Sequence, residues 1–503
     1  MKNKIKSWRE FYQMSLTQKA FKSGFWISAL RVAVRGMGFI RLVILARLLT
    51  PKDFGIMAVV LVSIDFLYHF SNIATGMALI QKKGDIEDYL GTAWLTSLVR
   101  GSLIFLILYF AAPPLASFFN NMEAAQYIRV AAFSPLILTL CNPRLVYLEK
   151  ELEFNKKFVY EVIGTTVDIV VSIAIAFIYR NVWALITGLL AGNFCRFIVS
   201  YCIIPKLFRL NFDPAKAAEL FHFGKWIFLN QILIFSSGRL GDVMIGKLIN
   251  VTTLGFYQMA MKVATLIPEE ITHVLSQVLF PAYSKIKDDM GRLRHAIFRV
   301  GQLNSIIGLP IAILTCYFAP EIVLYILGDQ WLPAVPLVRI LAFNTLLNYV
   351  GSSFGPFFLS LGRTDLIFKL RIYSLCVLFP SMYILTTKYG AVGTAMALLV
   401  TTLFVLPVSR MIIFRILGCS FFEYLKWQKE AALASAAMVA VLLISQYLIP
   451  TGPYPLLKTL VLLILGAGSY YGVLLVCLRH YKSELVQYLS WSGLRKALMG
   501  RVS

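Results

Sequence analysis

Residues 24–55 read GFWISALRVAVRGMGFIRLVILARLLTPKDFG, and residues 224–255 read GKWIFLNQILIFSSGRLGDVMIGKLINVTTLG. Aligned without a gap at an offset of 200, Gly24, Trp26, Ile27, Gly38, Val43, Leu48 and Gly55 recur as Gly224, Trp226, Ile227, Gly238, Val243, Leu248 and Gly255, while Arg47 becomes Lys247. Self-similarity at a fixed offset marks an internal repeat. Each copy opens with a mainly apolar run of about 20 residues, the length that crosses a bilayer core. Span one therefore corresponds to span seven. Their separation by an even number of spans sends both copies into the membrane in the same direction, which is a parallel repeat.

Scanning outward with the same length criterion gives fourteen apolar stretches, near 23–46, 55–80, 92–111, 128–147, 158–179, 182–204, 223–247, 256–280, 297–318, 337–360, 366–386, 391–414, 430–449 and 456–478. The predicted fold is an all-α polytopic membrane protein with about 14 transmembrane helices. An N-lobe (23–204) and a C-lobe (223–414), six helices each, flank a cytoplasmic linker (205–222). Two extra helices follow within 415–478. A basic arm (1–22) and a tail (479–503) complete the chain, and both contain amphipathic, membrane-surface sequence.

Composition agrees. Of 503 residues, 58% are apolar and 15% charged, and mean hydropathy is +0.73; a soluble fold carries about a quarter charged residues. The net charge of +23 does not indicate nucleic-acid binding, because the basic residues occupy short gaps between apolar runs rather than one soluble face. With the N-terminus cytoplasmic, 33 Lys and Arg fall in inside segments. Only Arg47, Lys52, Arg180, Lys247, Lys388 and Lys458 fall outside. That asymmetry predicts a plasma (inner) membrane protein with both termini in the cytoplasm. Seven cysteines without CxxC spacing read as small packing residues rather than a disulfide or zinc framework.

The remaining nine basic residues lie inside spans. Arg129 and Arg339 stand near span ends and read as snorkelling. Arg35, Arg100, Arg196 and Arg239 are central, and Arg31 lies one turn from Arg35, about 40° around the helix. Each central arginine costs ~2.5–3.5 kcal/mol on insertion, so they are expected to face protein or water. Arg41, on another side of span one, is expected to matter less. Acids share the layer: Asp65, Asp168, Asp242, Glu269 and Glu270. Asp242 follows Arg239 by three residues, so the two are helical neighbours, and Asp242 is the preferred ion-coupling acid. Pro268 is expected to kink or break its helix just before Glu269 and Glu270.

No zinc-protease motif, P-loop or dinucleotide fingerprint occurs, and no catalytic metal or cofactor is expected. The chain reads as a transporter, not an enzyme, driven by an H+, Na+ or substrate gradient. GxxxG pairs at Gly188/Gly192, Gly351/Gly355 and Gly468/Gly472 are weak packing signals.

The stretch Ala46-Arg47-Leu48-Leu49-Thr50-Pro51-Lys52-Asp53-Phe54-Gly55 resembles the first-loop signature of Wzx-type bacterial polysaccharide exporters, members of the multidrug/oligosaccharidyl-lipid/polysaccharide exporter (MOP) superfamily. Asn142-Pro143-Arg144, Leu152-Glu153-Phe154, Gly241-Asp242, Leu254-Gly255-Phe256-Tyr257 and Phe280-Pro281-Ala282-Tyr283-Ser284 extend the likeness over residues 20–300. The likeness is to exporters of colanic and teichuronic acid-like polymers. The resemblance implies a MATE/lipid-flippase-like fold and a flippase that works by alternating access. Its substrate would be an undecaprenyl-pyrophosphate-linked oligosaccharide, moved to the outer leaflet for exopolysaccharide biosynthesis. The implied pyrophosphate ligands are Arg31, Arg35, Arg100, Arg196 and Arg239. Membrane lipid, a polysaccharide polymerase and glycosyltransferases are the implied partners of a monomer. An ion-coupled multidrug exporter of organic cations is the alternative, and it calls for an acid-dominated cavity instead.

Overall fold

The computed structural model describes residues 16–71, 75–82, 84–206, 208–448 and 455–480. Most of the basic arm and of the tail thus lie outside the described residues. Among the described residues every regular element is helical: α1 (Leu16–Leu48), α2 (Pro51–His69), α3 (Glu87–Phe118), α4 (Ala124–Ala131), α5 (Phe133–Thr139), α6 (Phe154–Tyr179), α7 (Trp183–Ile203), α8 (Pro214–Leu248), α9 (Val251–Ile286), α10 (Met290–Tyr317), α11 (Val335–Val350), α12 (Thr364–Leu417), α13 (Lys429–Leu448) and α14 (Pro455–His480), with short helical turns between them. Each of the fourteen apolar stretches overlaps helical backbone. By length and composition, eight described helical segments are long and apolar enough to cross a membrane. A ninth qualifies if Ala124–Thr139 and Pro143–Lys150, bent by 67°, form one broken span. α1, α2, α8 and α9 are not among them; α2 carries Lys52 and Asp53 in its first turn as well as Asp65.

A capping box ends α1 and starts α2. Thr50 is extended, and its backbone N–H and hydroxyl donate to Asp53 Oδ2 at 2.8 and 2.7 Å. Asp53 N–H donates back to Thr50 Oγ1 at 3.4 Å, and Pro51 occupies the first turn, where no amide partner is needed. At the equivalent place 200 residues on, Asn250 Oδ1 accepts the Thr253 N–H at 2.8 Å. The first turns of α2 and α9 then meet backbone to backbone. A Cβ on Gly55 would overlap the Val251 carbonyl, and one on Gly255 would overlap the Pro51 carbonyl. Only glycine permits either approach, and the contact maps onto itself under the 200-residue offset.

The chain divides into two compact units, Met1–Gln258 and Met259–Ser503. The repeat expected from the sequence would put a boundary at 205–222 instead, and packing shows why α8 stays with the first unit. The linker is pinned to the start of α3. A Cβ on Gly91 would stand 2.8 Å from the Asn211 amide nitrogen. Thr92 Oγ1 donates to the Asn211 carbonyl at 3.2 Å and accepts the Asp213 N–H at 3.1 Å. Asp213 in turn caps α8 through the Ala215 N–H at 2.9 Å. Lys82 and Tyr89 bind Glu219 at 2.7 and 2.8 Å and hold its carboxyl below the usual glutamate range. This strap is therefore intact at neutral pH and loosens as acidification passes that lowered value.

In the second unit, Tyr283, Phe298, Phe357 and Tyr424 are buried in one core. α12 turns sharply at Gly390, whose φ of 62° and ψ of −142° suit glycine alone; this is the break expected between 386 and 391. α13 and α14 pack as a pair, tied to α10 where the Tyr470 hydroxyl donates to the Ile306 carbonyl at 2.9 Å. α9 runs from Val251 to Ile286 through Pro268 and Pro281. Helix continues through Pro268, so of the expected kink or break the break does not occur.

Candidate functional site

Two charged clusters and a cavity carry most of the expected site residues of the first unit. In the first cluster α1 is bolted to α6. Arg41 donates from Nη1 to Asp168 Oδ2 at 2.9 Å and from Nη2 to Ser172 Oγ at 2.8 Å, and Ser172 donates to Asp168 Oδ1 at 3.2 Å. Asp168, expected among the coupling acids, is thus satisfied inside the unit. Arg41, which the sequence reading sets aside, is its partner. The α6–α7 hairpin is close enough for this because of Gly188 and Gly192. A Cβ on Gly188 would stand 2.7 Å from Asp168 Oδ1, and one on Gly192 2.7 Å from Asp168 Cβ. Of the three GxxxG pairs, this one closes a helix contact at both glycines. Arg196 lies across Gly164 on the same hairpin and binds Glu161 at 3.3 Å, Asn193 at 3.2 Å and Thr165 at 3.0 Å.

The second cluster joins α2 to α8. Arg239 pairs with Asp65 of α2 and, at 3.1 Å, with Asp242 on its own helix. Gln258 Nε2 donates to the other Asp242 oxygen at 2.6 Å. The Arg239–Asp242 neighbourhood expected from their spacing is present, and Asp65 and Gln258 are additions that spacing does not reveal. Asp242 is only 3% exposed, whereas the Asp65 side chain is 29% exposed. Asp65 is the acid that water reaches.

It reaches Asp65 through a cavity of about 500 Å³ walled by α2, α3, α5, α7 and the segments 75–79 and 141–146, with Asp65, Tyr68, Trp94, Ser97, Arg100 and Asn193 on its wall. Arg100 packs over the Tyr68 ring at 5.3 Å, a cation–π arrangement that steadies the guanidinium. Asn193 donates to Ser134 Oγ at 2.8 Å while its carbonyl accepts from Arg196, so Arg196 reaches the wall only through Asn193. Apolar walls with a few convergent polar groups are the usual composition of a small-molecule site. Arg100 supplies a planar cation with several donors, the geometry suited to phosphate oxygens.

The other expected site residues lie elsewhere. Arg31 is half-buried and Arg35 exposed on α1, and neither lines this cavity. Glu269 is exposed and Glu270 half-buried, both on the part of α9 that belongs to the second unit. Tyr68, Asn193 and Gln258 escaped the sequence reading, since neutral polar residues carry no insertion cost large enough to single them out.

The sequence model of the polysaccharide biosynthesis protein family matches residues 44–336. The chain belongs to the polysaccharide biosynthesis protein family. The lipopolysaccharide biosynthesis protein WzxC of Escherichia coli (strain K12) is 23% identical over 415 residues, covering 82% of this chain and 84% of that protein. The teichuronic acid biosynthesis protein TuaB of Bacillus subtilis (strain 168) is 21% identical over 356 residues, covering 70% and 74%. Among solved structures, the lipid II flippase MurJ in an inward closed conformation superposes with a TM-score of 0.74 at 13% identity, covering 90% of this chain and 100% of that one. The fold is that of a multi-pass helical membrane protein. Within the family match, Thr50-Pro51-Lys52-Asp53 forms the capping box. Asn142 clamps the end of α7 by donating to the Ile204 carbonyl at 2.9 Å, and Arg144 pairs with Glu87. These stretches therefore help to maintain the fold, and Asn142 and Pro143 also stand on the wall of the cavity that holds Asp65 and Arg100.

Proposed function

We propose that the protein is a flippase of the bacterial inner membrane, with both termini cytoplasmic. It moves an undecaprenyl-pyrophosphate-linked oligosaccharide from the cytoplasmic to the outer leaflet by alternating access, for surface polysaccharide assembly. The carrying observation is Arg100 on the wall of the cavity, in a family whose members include proteins named for lipopolysaccharide and teichuronic acid biosynthesis. Arg100 takes the pyrophosphate, whose oxygens accept two parallel guanidinium hydrogen bonds. Asp65 and Arg239 form the coupling element. A proton or sodium ion taken up at Asp65 removes one of the two anions that hold Arg239, and Arg239 then turns toward the substrate phosphate. Asp65 replaces Asp242 as the coupling acid because water reaches it. A polymerase and glycosyltransferases act on either side of this step.

The test is transport by the purified full chain in proteoliposomes loaded with a polyprenyl-pyrophosphate oligosaccharide. Lectin accessibility of the sugar should change sides in a chain-dependent manner. Export of organic cations with no movement of the lipid-linked sugar would overturn the proposal.

A further inference from the structure

A cavity in the second unit lies apart from the residues proposed above to act in transport. It measures about 970 Å³ and lies between α10, α11 and the α13–α14 pair. Three charges sit on its wall: Glu321, just past the end of α10, Arg339 in the second turn of α11, and Lys458 in the first turn of α14. One helical turn further along the same helices, Phe343 follows Arg339 and Leu462 follows Lys458, and both line the same cavity. The cavity thus has a charged end and an apolar interior, the polarity of a lipid with its head at the mouth and its chain inside.

The charges identify the head. The only hydrogen bond Arg339 makes through its guanidinium among the described residues uses Nε, to the Cys316 carbonyl at 3.2 Å, and neither Lys458 nor Glu321 makes one. Glu321 lines the cavity, and its Oε2 has no hydrogen-bond donor among the described residues. Two cations suit a phosphate, but a carboxylate beside them repels a second negative charge. It favours a headgroup that also brings a hydrogen-bonding cation.

We propose that this cavity holds a membrane phospholipid of the phosphatidylethanolamine class. Its phosphate lies on Arg339 and Lys458, its ammonium donates to Glu321, and an acyl chain runs along Phe343 and Leu462. The site is independent of the transported substrate, so it stands or falls separately from the flippase reading.

The test is lipid retention by the full chain, purified in detergent and titrated with palmitoyl-oleoyl phosphatidylethanolamine, phosphatidylcholine and phosphatidylglycerol, with bound lipid counted by native mass spectrometry. Wild type should prefer phosphatidylethanolamine to either rival by about tenfold, the loss expected for one charge-assisted hydrogen bond. Glu321→Gln should erase that preference while leaving phosphatidylglycerol binding in place. Arg339→Ala and Lys458→Ala should weaken all three lipids. Arg339→Lys, which keeps the charge on an exposed residue, should weaken them less and controls for folding. Equal retention by wild type and Arg339→Ala would overturn the site and leave Arg339 a snorkelling residue. Preference for phosphatidylglycerol, or displacement of phosphatidylethanolamine by farnesyl diphosphate, would overturn the assigned occupant.

Discussion

Arg100→Ala is expected to stop export while leaving the protein folded in the membrane. The side chain stands on the cavity wall and packs over Tyr68, so its removal takes a cation from the cavity and leaves open space. What is lost is a bidentate, charge-assisted grip on phosphate. At ~1.5–3 kcal/mol per hydrogen bond to a charged group, two bonds correspond to a fall of about a hundredfold or more in flipping rate. Arg100→Lys keeps the charge but loses the fork, so an intermediate rate is expected, down by about tenfold. Proteoliposome flipping at matched protein density measures both. Wild-type rates in Arg100→Ala would remove the cavity from the transport path.

Arg239→Ala is expected to act quite differently. Asp242 is buried and would lose its cation, keeping only the Gln258 amide. Leaving such a charge unpaired destabilises by about 3–5 kcal/mol, so the thermal midpoint should fall sharply and little protein should reach the membrane. Asp65→Asn removes the other anion and leaves the Arg239–Asp242 pair intact. It should fold normally and flip substrate with no dependence on an imposed proton or sodium gradient. If Asp65→Asn keeps the full gradient dependence of wild type, the coupling role passes away from this cluster.

The fold was legible in the sequence to a good depth because insertion into a bilayer imposes long apolar runs, and because Thr50, Pro51 and Asp53 form a cap readable from local spacing. Arg239 and Asp242 were legible for the same reason, being one turn apart. The site was less so. Asp65 finds Arg239 across 174 residues and Arg41 finds Asp168 across 127. Nothing in local spacing encodes such partners. Depth along a span also failed to rank the arginines. Arg35 and Arg100 are both central in their runs, yet Arg100 lines the cavity and Arg35 does not, because which side of a helix is covered depends on its neighbours.

The crossing of Gly55 and Gly255 has a consequence for how errors there combine. Each glycine makes room for a carbonyl next to the other, so a single methyl group at either position already forces the two helix starts apart. Once they are apart, a methyl group on the second glycine meets far less resistance. Gly55→Ala and Gly255→Ala should each be severely damaging alone, but the double variant should be little worse than the poorer single one. The result would be a coupling energy comparable to either single effect, where independent sites add. Unfolding midpoints for the four members of that cycle measure it, and simple additivity would mean that the two helix starts give way separately.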